Sequence, residues 1–557
     1  MNMSMDGELV LVPLGGLGEI GMNAMLYGFG PKRSRKWILV DLGLGFAGPD
    51  MPGIDLLMPD LTFIEKMKKD LIALVITHAH EDHIGAVADL WPRLGVPVYA
   101  TRFGAGLLET KRLNEPGAPK VPLNIVEPGV PVQLGPFSVE FVRMAHSIPE
   151  SCGLAIRTQA GLVMHTGDWK IDETPLVGWA TDEKRLRELG DEGVLALVCD
   201  STNILRDGQS PSETDVAKGL EVLIREATGR VVVTTFASNV ARLRAVADAA
   251  AACGRTVVVV GRAMERVVQV ARECGYLEGV PTFLSAESFG YLAREQIVIL
   301  ATGSQGESRA ALARIAANEH PEVTLTPGDR VIFSSRTIPG NEKGVGDIIN
   351  GLVAQGVHVV TDRDGLVHVS GHPRRAEVAR MYEWTRPQIA VPAHGEAMHL
   401  AEHARFARAQ GVPKVVSAHN GDMVLIGPGE AGIIDQVQHG RLAKDGNVLI
   451  AQNDAAIQAR QTLSFAGIIS VAIAITKAGE VAGDPDVMFT GLPLKLKDGK
   501  AMDEVVDEAI FSTLDSLPRS RRRDPDATAQ SVERAIRNTL RQVWGKKPVV
   551  HVLVVEV

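Results

Sequence analysis

Leu71-Ile72-Ala73-Leu74-Val75-Ile76-Thr77-His78-Ala79-His80-Glu81-Asp82-His83 carries six apolar residues straight into three histidines and an aspartate. The apolar run has the length and the Val/Ile content of a buried strand. A single histidine in a loop is ordinarily a solvated or core residue. Three at this spacing beside a carboxylate read as metal ligands: His78, His80 and His83 with Asp82. Neutral imidazoles and a carboxylate suit zinc or manganese. The absence of a nearby cysteine fits a catalytic site better than a structural one. Such a site needs more ligands, and they must come from other parts of the chain.

Later strand ends offer them. The first 200 residues alternate short apolar runs with Gly/Pro turns, and strands are expected at 9–14, 37–41, 72–77, 96–99, 139–143, 162–166 and 195–200. Several end in a polar residue followed by a loop, where sheet enzymes place their chemistry. His146 follows one such run in Ala145-His146-Ser147-Ile148-Pro149, and Asp168 follows the next in His165-Thr166-Gly167-Asp168. His394 follows a later run in Val391-Pro392-Ala393-His394-Gly395. Alone, the aspartate reads as a turn residue and the histidines as loop residues. In company with the first motif they read as ligands.

From about Pro211 the pattern changes. Strands expected at 231–235, 256–260, 296–301, 331–335 and 357–361 are separated by helical stretches such as 240–252 and 308–318, the pattern of a parallel sheet with helices on its faces. After Gly365 short strands and histidine-bearing loops return, up to about Gly429. The tail from about Arg460 reads as a small α+β unit, with a strand at 466–477, helices at 503–517 and 527–544, and a closing strand at 549–557. Between its helices lies Arg519–Arg523, four arginines in five positions, read first as a solvated loop and second as an RNA or partner contact.

A chain of 557 residues exceeds one hydrophobic core, so several domains are expected. With 45% hydrophobic and 22% charged residues it falls in the ordinary globular range. No run of about 18 apolar residues argues for a membrane span. The first eight residues lack the basic-then-apolar order of an export signal. Cys152, Cys199, Cys253 and Cys274 show no CxxC spacing, which argues against a disulfide framework or a zinc knot. The expectation is a cytoplasmic protein. Its net charge of −9 has the wrong sign for gripping nucleic acid by bulk electrostatics. A local basic groove, or metal ions where the phosphate sits, can override it.

The order HxHxDH, then His, Asp and His on later strand ends, resembles the metallo-β-lactamase superfamily of hydrolases. The strand–helix insertion between Asp168 and His394 looks like a β-CASP domain, the mark of its nucleic-acid-processing branch. Within that branch, Pro13-Leu14-Gly15-Gly16-Leu17-Gly18-Glu19-Ile20-Gly21-Met22-Asn23 is similar to the opening of bacterial ribonucleases J. So are His146-Ser147-Ile148-Pro149-Glu150-Ser151, Thr302-Gly303-Ser304-Gln305-Gly306-Glu307, Ile338-Pro339-Gly340-Asn341-Glu342, His368-Val369-Ser370-Gly371-His372 and Gly483-Asp484-Pro485-Asp486. Ala79 and Ala86 depart from the pattern, standing where glycine is usual.

The resemblance implies an α/β fold: a metallo-β-lactamase αββα sandwich (1–210 and 366–430), an inserted β-CASP parallel α/β domain (211–365), a linker (431–460) and a small C-terminal α+β domain (461–557). It implies two divalent metal ions, zinc before manganese or magnesium. His78, His80 and His146 hold one, Asp82, His83 and His394 the other, and Asp168 bridges both. Two cations about 4 Å apart can activate a hydroxide and brace the charge of a phosphorane. Glu81 and Asp200 are expected to orient ligands.

In the 368–372 loop, Gly371 allows close approach to a phosphate and Ser370 offers a donor. His372, outside the ligand set, is the expected general acid. Phe236-Ala237-Ser238-Asn239 opens the 240–252 helix and resembles part of a 5′-monophosphate pocket, although Ser238 or Asn239 can equally cap that helix.

The implied function is a 5′→3′ exoribonuclease on single-stranded RNA with some internal cutting, active in mRNA decay and rRNA maturation. A homodimer or homotetramer with RNA-degradation or ribosome-associated partners is the expected assembly. The rival is a β-CASP endonuclease acting on RNA or DNA without end preference. Thioesterases and lactonases of the same fold need no such insertion, and an inactive scaffold would not keep all seven ligand positions filled.

Overall fold

The computed structural model describes residues 7–114, 117–338 and 340–557. The residues read for an export signal lie largely outside them, as does Pro339 of the 338–342 motif. The chain divides into two compact units. One holds Met1–Gly45 and Leu57–Arg441; the other holds Phe46–Leu56 and Leu442–Val557.

The first unit contains two facing sheets. Eight strands follow the order Gly432–Gln436, Asp422–Gly427, Glu8–Gly15, Ala24–Gly30, Lys36–Val40, Leu71–Val75, Val98–Ala100, Leu123–Ile125. Seven follow the order Val132–Leu134, Phe137–Arg143, Cys152–Thr158, Gly161–His165, Val194–Asp200, Ile389–Ala393, Lys414–Val415. Side chains alternate across a pleated strand, so Leu9, Leu11, Ile38 and Val40 pack with Phe137, Phe141, Leu154 and Val198 in one core between the sheets. A second core, with Met164, Leu197 and Ala390, covers the far face of the seven-stranded sheet with the helices Glu183–Glu192 and Arg375–Thr385.

The strands Ala24–Gly30 and Cys152–Thr158 are central yet were not expected from the sequence. The first carries a glycine in mid-run, ordinarily a strand breaker. Here the Trp37 ring of the neighbouring strand packs against Gly28, where a Cβ would lie 2.6 Å from a ring carbon. The segment 431–460, expected as a linker, is also structured. It supplies the edge strand Gly432–Gln436, the strands Arg441–Asp445 and Val448–Ala451, and the start of the helix Ala455–Ala466.

The insertion is a six-stranded sheet in which every pair is parallel, ordered Leu284–Ser285, Thr256–Val260, Ile297–Ala301, Val231–Thr234, Arg330–Phe333, His358–Val360. It is joined to the sandwich by buried charge. Asp172, just past a sandwich strand, accepts from Ser212 Oγ and from the backbone of Glu213 at the start of the helix Glu213–Glu226, and pairs with Lys170 at 2.9 Å. Glu213 pairs at 3.0 Å with Arg242, which is fully buried and donates to the carbonyls of Ser334 (3.0 Å) and Val367 (2.9 Å) and to the Ser334 hydroxyl. Arg242 thus fixes the chain just ahead of the 368–372 loop.

In the second unit, strands Asp486–Thr490, Ile468–Ile475 and Val549–Glu556 form a sheet covered by the helices Met502–Ser516 and Pro525–Val543. Arg519–Arg522, read as loop, forms one helical turn between them.

Breaking a buried ion pair strands the remaining charge, at a cost of about 3–5 kcal/mol. Arg242→Ala should lower the free energy of urea unfolding of the first unit by that order. A loss under about 1 kcal/mol would mean that the junction does not depend on this pair.

Candidate metal centre

Parallel strands that end at one sheet edge bring their following loops together. Val40 lies opposite Val75, so Asp41 falls beside Thr77 and the histidine motif; Thr77 donates from its backbone (2.8 Å) and its hydroxyl (2.8 Å) to the Asp41 carboxylate. In the other sheet, His165 lies opposite Val198 and Asp200 opposite Ala393, which puts Asp168, Asp200 and His394 side by side. A bridge between Ala145 and Lys170 brings the His146 loop against the Asp168 loop.

The result is a cluster built around Asp168. One group joins His78, His80, His146 and Asp168, and another joins Asp82, His83, Asp168 and His394, the ligand atoms in each lying within 4.8 Å of one another. His80 Nδ1 lies 3.2 Å from His78 Nε2 and 3.0 Å from His146 Nε2. Asp168 Oδ2 lies 3.7 Å from His78 Nε2, 3.9 Å from His146 Nε2 and 3.3 Å from His83 Nε2. Asp82 Oδ2 lies 3.7 Å from His83 Nε2 and 3.4 Å from His394 Nε2. The fold thus brings together the residues of both sets that the resemblance implied, and also a third group of Asp168, Asp200, His372 and His394, with Asp168 common to all three.

The donor chemistry fits cations. His146 Nδ1 donates to the Gly371 carbonyl at 2.7 Å and His83 Nδ1 donates to Asp41 at 2.7 Å, so in each ring Nε2 is the nitrogen turned toward the cluster. Burial holds His78 and His146 well below the ordinary imidazole range and brings His80 down to about 4, which keeps these three in the neutral, ligating form. Burial also disfavours charge on His83 and His394. There it is outweighed, by Asp168, Asp41 and Asp82 for His83, which is driven well above the usual range, and by Asp168 and Asp82 for His394, pushed up to about 10. Carboxylates crowded this closely demand positive charge, and metal binding would displace those protons.

His372 sits at the edge of the cluster. Its Nδ1 is 2.8 Å from Asp200 Oδ2 and 3.8 Å from Asp168 Oδ2, and its side chain keeps 20% of its surface exposed against 2% for Asp168. Burial lowers its proton affinity, but the Asp200 and Asp168 carboxylates raise it above the ordinary imidazole value.

The rest of the expected site divides. Gly371 lies under the His146 ring, where a Cβ would come 2.4 Å from a ring carbon. Ser370 Oγ accepts from Asn203 (2.8 Å) and from the His372 backbone (3.3 Å), shaping the loop. Of the expected substrate contacts, Val369 is buried and His368 half-buried, and burial, with Arg242, Arg336 and Lys170 nearby, holds the His368 imidazole well below its ordinary range. Asn239 caps its own helix by accepting from the Arg242 backbone at 2.9 Å, while Phe236, Ala237 and Ser238 stay half-buried. Glu81, expected to orient a ligand, turns outward with 60% of its side chain exposed, 3.8 Å from Lys111. Successive residues of a helical turn point about 100° apart, so a turn that aims Asp82 and His83 inward aims Glu81 away.

Two contributors have no role assigned by the sequence. Asp41 is one, and its left-handed backbone (φ 62°), like that of His394 (φ 48°), marks strain held at the site. Its signal was present, as the polar end of the strand expected at 37–41. Asn23 is the other: its backbone and side-chain amides donate to the Asp82 carbonyl, at 2.9 and 3.2 Å.

The class of protein follows from comparison with known families. The metallo-beta-lactamase superfamily matches residues 19–260, and a Zn-dependent metallo-hydrolase RNA specificity domain matches 356–417. The ribonuclease J beta-CASP domain matches 228–352 and the ribonuclease J C-terminal domain 455–557. A ribonuclease J of Sinorhizobium meliloti is 52% identical over 100% of this chain and 99% of its own length. Those of Corynebacterium glutamicum (39%, over 97% of this chain and 75% of its own length) and Mycolicibacterium smegmatis (38%, over 99% and 98%) are also similar. The chain belongs to the ribonuclease J family. A crystal structure of an Enterococcus faecalis protein of unknown function shares the fold, with a TM-score of 0.51 at 15% identity over 75% of this chain and all of that one. The chain is thus a metal-dependent ribonuclease that uses divalent ions and binds RNA. No helix among the described residues is long and apolar enough to cross a membrane.

Losing the group that orients a ligating histidine typically lowers metal affinity about 10–100-fold. Asp41→Ala should weaken metal binding by that order in a chelator competition. Unchanged affinity would remove Asp41 from the metal centre.

Proposed function

We propose that His78, His80 and His146 hold one ion, that Asp82, His83 and His394 hold the second, and that Asp168 is shared. Zinc fits the donors best, with manganese or magnesium as alternatives. When bound, the ions supply an acidified water and neutralise charge on the scissile phosphate. The residues do the rest. Asp82 and Asp168 fix the geometry. His372, protonated and partly exposed, donates to the departing 3′-oxygen from Nε2 while Asp200 holds Nδ1. The observation that carries this reading is the His372–Asp200 pair beside Asp168, the one imidazole of the cluster that combines a raised proton affinity with an open edge.

The proposed activity is 5′→3′ exonucleolytic on single-stranded RNA with a 5′-monophosphate, with some internal cleavage, in mRNA decay and rRNA maturation. Ser238 supports it, half-buried at the mouth of the helix Val240–Ala252, whose N-terminal end favours a compact anion. The domain division at 210 and 365 is proposed on the same footing. So are a homodimeric or homotetrameric state, RNA-degradation or ribosome-associated partners, and a cytoplasmic location, the last in keeping with four free cysteines.

Oligoribonucleotides ending in 5′-monophosphate, 5′-hydroxyl or 5′-triphosphate should release mononucleotides fastest from the first. Ser238→Ala should narrow that preference; Asn239 is unsuited to the test, because losing its cap costs about 1 kcal/mol. Equal rates on all three ends, with long internal fragments first, would favour the endonuclease reading.

The acid role has its own test. Asp200 raises the proton affinity of His372, and the acid form is lost as pH rises through its pKa. Asp200→Asn should therefore move the alkaline limb of the kcat profile to lower pH. An unshifted limb would assign the proton to another group.

A further inference from the structure

We infer that the C-terminal unit carries a second RNA-binding site, a cleft for the phosphodiester backbone of single-stranded RNA along the helix Pro525–Val543. The cleft has a volume of about 520 Å³ and is lined by Gln530, Glu533, Arg534, Arg537, Asn538 and Lys547, among others. Positions 530, 534, 537 and 541 recur at the three-to-four-residue spacing of one helical face, so Arg541 extends the stripe of Arg534 and Arg537. Neighbouring side chains on such a face stand about 5–6 Å apart, a spacing on the order of one nucleotide step.

Charge singles this face out. Residues 519–547 hold nine Lys and Arg against three Asp and Glu, a local +6 in a chain of net −9. Glu533, the acidic residue of the lining, is tied to Arg537 at 2.8 Å. Among the described residues no carboxylate pairs with Arg534, Arg541 or Lys547. Cations left free on a helix face cost solvation nothing and remain ready for an anionic partner. The amides of Gln530 and Asn538 add donors suited to phosphate and sugar oxygens.

An aromatic surface accompanies the charge. Phe465 is 68% exposed, and Lys546, which donates to its carbonyl at 2.8 Å, lies 4.5 Å from the centre of its ring. An exposed ring near a cationic groove is the pairing that holds single strands, one stacking a base while the other tracks the backbone. A protein partner is disfavoured because the lining is charged and amide-rich, whereas the core of a protein interface is depleted of charge.

The site rests on the family's ribonuclease activity and is independent of the 5′-monophosphate preference. The test is the full-length triple variant Arg534→Gln, Arg541→Gln, Lys547→Gln. Binding of a 30-nucleotide unstructured RNA is measured in EDTA across a salt series. Removing three phosphate contacts should lower the slope of log K against log salt by about 2 and weaken binding at least about tenfold at low salt. The advantage in kcat/KM of that RNA over a 5-nucleotide RNA should shrink in proportion. An unchanged slope and affinity would overturn the site. So would a change in oligomeric mass by sedimentation with RNA affinity kept, which would assign the cleft to a protein partner. Failure of the monophosphate preference in the wild-type enzyme would leave these readings intact, because the slope is compared at a fixed end.

Discussion

Asp168 is buried at a sheet edge, and both histidine groups of the cluster come within 4 Å of its carboxylate. A carboxylate there is unfavourable unless positive charge surrounds it. Much of the architecture serves that condition. Three parallel strand ends bring His394 and Asp200 to its side, the bridge between Ala145 and Lys170 brings His146, and the facing sheet brings His78, His80 and His83. Cations bound there would supply the positive charge that protons on His83 and His394 otherwise carry.

The inserted domain is held by the same kind of interaction turned to a structural end. Lys170, Asp172, Glu213 and Arg242 form a buried charged chain that begins two residues past Asp168 and ends at Val367, one residue before the loop that bears His372. The insertion is thus joined to the 368–372 loop through fixed hydrogen bonds. Buried ion pairs add little net stability over apolar packing, but they have one satisfactory geometry. The junction's hydrogen bonds end at Val367, directly ahead of His368 and Val369.

Net charge and function are reconciled by distribution. A chain of −9 acts on a polyanion because its positive charge is local, from metal ions at the reaction centre and from the basic face of the last long helix.

The residue types carried much of this. Three histidines and an aspartate after an apolar run admit few explanations, because that donor density has little structural use. The strand–helix alternation after Pro211 could only be a parallel sheet, since its period and run lengths suit no other arrangement. Three matters were decided by tertiary structure alone. Asp41 joins the site through the register of Val40 against Val75, a pairing between strands separated by more than 30 residues of chain, which no local pattern encodes. Glu81 leaves the site because a helical turn aims its neighbours inward, a direction that the spacing of letters does not carry. Gly371 matters for what stands over it, the ring of His146, more than 220 residues earlier. Composition and spacing are properties of a chain read along its length. Which atoms face one another is a property of packing across it.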